Sequence, residues 1–89
     1  MVNSPASSKP VFREERPGVD QFVGEQLTNL RTKAGASQIE LAELLSVPLS
    51  LVQDFEAGTK RIAAAQLFKL AGHLNVPVAA FFGIELEVA

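Results

Sequence analysis

His73 is the only side chain whose ordinary pKa lies near neutrality, and the chain has no Cys, Tyr or Trp to stand beside it. A general base or an activated nucleophile needs a partner held within hydrogen-bond reach. By helical spacing His73 falls off the Leu67, Leu70 and Leu74 stripe, which places it in solvent with no carboxylate partner assigned to it. The glutamates are spread over helix surfaces, with Glu40 in a capping role and Glu43 solvated. No glycine-rich phosphate loop and no metal-ligand spacing is present. The expectation is therefore no catalytic residue, no cofactor and no metal, and a chain that is not an enzyme. The remaining chemistry is charge and hydrogen bonding, and its most compact basic step is Thr59-Lys60-Arg61.

Net charge constrains what that basic step can do. The formal charge is -2, with a pI near 5.3, whereas nucleic-acid binders usually concentrate cations that displace counterions from phosphates. An acidic domain with one basic edge is compatible with DNA but implies weak non-specific binding. At 89 residues the chain accommodates one small domain, and 47% hydrophobic residues are enough for a packed core. Without Cys there are neither disulfides nor thiolate zinc sites, so helix packing, reinforced by dimerisation, is the remaining source of stability. No apolar run approaches membrane-spanning length and no signal peptide is recognisable, so the expected location is cytoplasmic.

The elements that must carry these groups are short helices. Asp20 reads as the N-cap of a first helix over residues 20 to 34, with Val23, Leu27, Leu30 and Ala34 on its inner face and Phe22 at the border. Ser37 and Glu40 form a capping box at the start of the second, in which Ile39, Ala42 and Leu45 recur at helical spacing. Val52 and Phe55 anchor the third, which Gly58 closes in a left-handed conformation. Residues 63 to 74 form the fourth, ended by Asn75. Val78 to Phe82 form a short fifth that starts after Pro77 and ends at Gly83, with Phe81 and Phe82 capping the core. Pro17-Gly18 is expected to break the chain, leaving residues 1–19 as a flexible N-terminal tail. Residues 84–89 form a C-terminal tail in which Ile84-Glu85-Leu86-Glu87-Val88 alternates like a strand and could pair with a second copy.

The second and third helices resemble the helix-turn-helix of the lambda repressor, Cro and Xre family of DNA-binding regulators. The match runs through Ser37, Gln38, Leu41, Ala42, Leu45, Val47, Ser50, Val52, Phe55, Glu56 and Gly58. The resemblance implies an all-α, five-helix lambda-repressor-like bundle over residues 20–83. It also implies that the third helix enters the major groove of double-stranded DNA. By matching position, Leu49, Ser50, Leu51 and Gln53 would face the bases, with Asp54 on the flank. Gln38 would hold a phosphate and buttress the reading helix, and Lys60 and Arg61 would hold phosphates. A homodimer on a two-fold operator is implied as well.

The outward positions depart from the family pattern. Leu49, Leu51, Asp54 and Ala57 stand where the family usually has polar or basic residues. Leucine can meet a thymine methyl but cannot make the bidentate hydrogen bonds that identify guanine or adenine. Ser46 replaces the frequent corner glycine, demanding a positive φ or an altered turn, and Pro48 removes the usual Ser or Thr cap. The expected function is a small sequence-specific transcriptional regulator. The alternative is a protein-interaction module on the same fold, antitoxin-like or an anti-regulator subunit, that binds a protein partner through the apolar Leu49/Leu51 face or the 84–88 tail.

Overall fold

The computed structural model describes residues 17–83. It contains α1 (Pro17–Ala34), α2 (Gln38–Leu45), α3 (Leu49–Ala57), α4 (Ala64–Leu74) and a 3-10 helix, Val78–Phe82. Among the described residues the architecture is all-helical, with four α-helices where five helices were expected. The fifth segment winds as 3-10, with Ala80 N–H donating to the Pro77 carbonyl at 2.9 Å. The expected flexible tail before Pro17, and the expected strand or dimer contact after Gly83, lie outside the described residues.

Local rules account for most of the boundaries. Pro17 opens α1 rather than breaking the chain, because proline lacks only an N–H that a first helical turn leaves unpaired. Asp20 is consequently inside the first turn instead of capping it. Arg31 and Lys33 lie in the last turn, where cations suit the helix dipole. At α2 the capping box is complete: Glu40 N–H donates to Ser37 Oγ at 2.9 Å, and Ser37 N–H donates to Glu40 Oε1 at 3.4 Å. Ser46 closes α2 with φ 57° and Asn75 closes α4 with φ 60°, both left-handed.

The core is built from Leu27, Leu41, Val52, Leu70 and Phe81, all fully buried or nearly so. α1 packs on α3 and on the 3-10 helix, while α2 packs on α3 and α4. Gly24 permits the α1–α3 approach, since a Cβ there would collide with the Phe55 carbonyl oxygen and lie 2.8 Å from that of Glu56. Gln26 Nε2 donates to the Ala80 carbonyl at 2.9 Å and ties the last turn back onto α1.

Several apolar residues sit differently from the expectation. Ile39 is 57% exposed; at about 100° per residue it lies more than a quarter-turn from the centre of the Leu41–Ala42–Leu45 stripe. Ala34, expected on the inner face of α1, is exposed. Phe82 is half-exposed although Phe81 is buried. In a 3-10 helix residues three apart share a face, so Val78 goes in with Phe81 and Phe82 turns outward.

Candidate nucleic-acid interface

The corner between α2 and α3 is held by side chains from three helices. Glu56 on α3 takes Arg31 Nε at 2.6 Å on one oxygen and Arg31 Nη2 at 3.1 Å on the other. Arg31 also donates through Nη1 to the Ala36 carbonyl at 3.1 Å, which fastens the loop before α2. Both side chains are largely buried, at 17% and 8% exposure. A third donor, Gln38 Nε2 at the first position of α2, reaches Glu56 Oε1 at 2.8 Å. Gln53 Nε2 then donates to Gln38 Oε1 at 3.4 Å. One carboxylate thus locks α1, α2 and α3 together, and the network ends on the outer face of α3.

The outward stripe of α3 is Ser50, Gln53 and Ala57, with Leu49 at one edge and Asp54 at the other. This follows from helical geometry once Val52 and Phe55 point inward. Leu49 is 37% exposed. Leu51, expected beside it on the outside, is half-buried and packs against the core. Of the four positions assigned to base contact, three therefore share the outer face and Leu51 does not. Pro48 stands at the N-cap of α3 and supplies no side-chain hydrogen bond, leaving first-turn amides free of a side-chain cap.

The basic edge is divided. Lys60 and Arg61 are both exposed in the loop beyond α3. Arg61 is nevertheless paired: its Nε lies 3.0 Å from Asp20 Oδ1 and its Nη2 lies 3.4 Å from Oδ2. The hydrogen bonds to Asp20, followed by its negative charge, raise the Arg61 pKa. Gly58, with φ 82°, packs on the backbone of Gln21 in the same corner, where a Cβ would come within 2.6 Å of the Gln21 Cα. Asp20 and Arg61 are 41 positions apart, and nothing in local spacing pairs them.

His73 has a partner after all. Its Nε2 contacts Glu40 Oε2, joining α4 to the N-terminal end of α2. The hydrogen bond from His73, then that from the Ser37 backbone, lower the Glu40 carboxyl below its ordinary range. The pair is exposed and neighbours a capping box, so it reads as a surface brace between helices.

Sequence reasoning missed Arg31 and Glu56 as organisers of the corner. Glu56 was recognisable from its place in the motif, but Arg31 carried only a helix-dipole signal. A pair 25 residues apart has no periodicity to reveal it.

Comparison with known proteins agrees with the helix-turn-helix fold. A family model described as Helix-turn-helix matches residues 27–81. An HTH-type transcriptional regulator of Sinorhizobium medicae is 39% identical over 64 residues, covering 72% of this chain and 46% of its own length. A transcriptional regulator in the ATPase CF(0) region of Rhodospirillum rubrum is 36% identical over 64 residues, covering 72% of this chain and 59% of its own. The chain thus spans about half the length of these relatives. Among solved structures, the restriction-modification controller protein C.AhdI from Aeromonas hydrophila superposes with a TM-score of 0.64 at 32% identity, covering 73% of this chain and 97% of that one. The clp gene regulator ClgR from C. glutamicum gives 0.65 at 23% identity over 89% of this chain and all of its own, a likeness of fold alone. No described helix is long and apolar enough to cross a membrane.

Proposed function

The chain belongs to the lambda repressor/Cro/Xre-type helix-turn-helix family, and on that premise we propose that it is a small, non-catalytic transcriptional regulator of operator DNA. In this reading α3 enters the major groove with Ser50, Gln53 and Leu49 toward the bases. Gln38 and Lys60 hold phosphates, and Arg61 joins them when it leaves Asp20. The protein works in the cytoplasm as a homodimer on a two-fold site.

The observation that carries the proposal is the network Arg31–Glu56–Gln38–Gln53. It rigidifies the α2–α3 corner and ends on two neutral amides at the outer face, where a duplex would supply complementary groups. The protein-interaction alternative relied on a paired Leu49/Leu51 face or on the 84–88 tail; the tail lies outside the described residues, and Leu51 packs against the core. On the outer face of α3 that leaves Leu49 as the one large apolar side chain, so the operator reading is preferred for this face.

The test is binding of the purified chain to duplex from its own upstream region across about 50 to 200 mM salt. Affinity is expected to fall steeply with salt, and Lys60→Ala should shallow the log–log slope by about 1. Failure to bind that region or any genomic fragment at low salt would overturn the proposal.

A further inference from the structure

We propose that Gln53 is the specificity-determining residue of α3, and that the buried Arg31–Glu56 pair orients its side-chain amide to select adenine. The inference rests on the operator reading above and adds the base, the residue and the means of orientation.

The argument depends on which atoms can donate. Glu56 carries the partner carboxylate of a guanidinium and can only accept hydrogen bonds. Gln38, 2.8 Å away, must therefore turn its NH2 group toward Glu56. Its carbonyl oxygen then points the other way, toward α3, and can only accept. Gln53 must meet that oxygen with its own NH2 group. Each link leaves the next with a single orientation, so a charge fixed between α1 and α3 sets the polarity of an amide at the surface. A free glutamine would flip between two nearly equivalent orientations; Gln53 is biased to one.

That orientation has a readable pattern. One N–H of Gln53 is engaged by Gln38, and the second N–H and the carbonyl oxygen remain outward, with no other partner among the described residues. A donor beside an acceptor complements the major-groove edge of adenine, whose N7 accepts and whose N6 donates. Guanine offers only acceptors at N7 and O6, so the Gln53 carbonyl opposes it. Cytosine offers one donor and satisfies the carbonyl alone. The neighbouring outward residues do not compete, because Leu49 and Ala57 have no polar group and Ser50 is a short, ambivalent hydroxyl. Gln53 is thus the one outward α3 side chain with a fixed bidentate pattern suited to a base edge. Gln38 and Arg31 are positioning residues that act through it.

Two measurements test this on the full chain. In the free protein, side-chain amide signals read the network without DNA. Gln38→Met should move the Gln53 NH2 resonances, and Gln53→Met, an exposed change that leaves the core alone, should move those of Gln38. Signals that stay in place, with backbone dispersion intact, would overturn the inference and leave the operator reading standing.

The second measurement is selection from a randomised duplex library. The wild-type chain should enrich adenine at one position of each half-site by about tenfold or more over guanine. Gln53→Glu, which can only accept, should shift that position to cytosine. Gln38→Met, which also removes a phosphate contact and so weakens binding overall, should flatten that position while the relative base preferences at the other enriched positions stay as in the wild type. An enriched consensus that neither variant alters at any single position would overturn the inference alone. A library from which the wild-type chain enriches nothing would overturn the operator reading with it.

Discussion

Arg31 and Glu56 join the first and third α-helices through two hydrogen bonds of 2.6 and 3.1 Å, in a corner that leaves little of either side chain in solvent. Removing one partner leaves the other charge buried without compensation, which in such sites destabilises by about 3 kcal/mol. Arg31→Ala and Glu56→Ala should each show a loss of that order in urea denaturation. The double variant should be destabilised by clearly less than the sum, because it leaves no orphaned charge. Strict additivity would mean that the pair contributes no coupling.

Two glycines in helices should respond in opposite directions to the same change. Gly24→Ala pushes a methyl into the Phe55 and Glu56 carbonyls where α1 meets α3, and overpacking of that kind costs about 1–3 kcal/mol. Gly72→Ala, on the exposed side of α4 with no atom within 4 Å of its Cβ, should gain roughly 0.5–1 kcal/mol from helix propensity. Thermal melts of the two variants separate the effects. Equal shifts of one sign would contradict the packing described for α1 against α3.

The Glu40 carboxyl gives stability a defined acid dependence. Its pKa is lowered in the folded chain by His73 and by the Ser37 amide. A depressed carboxylate contributes stability that is fully present above its unfolded value, near 4.3, and is lost as pH falls through the folded value. Denaturation midpoints below about pH 4.3 should therefore decline less steeply in Glu40→Gln than in the wild type. An unchanged acid limb would show that neither the cap nor the His73 contact favours the charged form.

In the operator reading, Asp20 would compete with phosphate for Arg61. The two are paired in the free chain at 3.0 Å, so any contact between Arg61 and DNA must first break that pair. Asp20→Asn should tighten DNA binding and steepen its salt dependence, because a cation is released at the edge of the interface. Arg61→Ala should weaken binding in the wild type by less than in the Asp20→Asn background. If both backgrounds lose equally, Asp20 does not restrain Arg61.

How much of this was legible in the sequence differs from element to element. The Ser37–Glu40 capping box, the left-handed ends at Gly58 and Asn75, and the inward pair Val52 and Phe55 all follow from spacing within a few residues. Ile39 was placed inward by its three-residue spacing to Ala42 and Leu45, and Phe82 by its place beside Phe81; both came out exposed, because a three-residue step drifts around an α-helix and adjacent residues point to different sides of a short turn. Leu51 failed in the opposite sense, being placed outside when its position on α3 turns it toward the core. The candidate site divided similarly. Gln38, Ser50, Gln53 and Lys60 were named from motif position, whereas the attachments of Gln38 to Glu56 and of Arg61 to Asp20 were not.

The sequence alone determined the helical segments and the membership of the α2–α3 corner in a known motif, since caps and periodicity act over three or four residues. Only the tertiary structure decided which outward groups are free and which are held. Arg31 with Glu56, Asp20 with Arg61 and Glu40 with His73 are all distant in the chain. Charge pairs of this kind have no period. The first two exist because packing at Gly24 and Gly58 draws α1 close against α3 and the loop beyond it, and the third because α2 packs on α4; at that range a full charge dictates where its neighbours' donors must point.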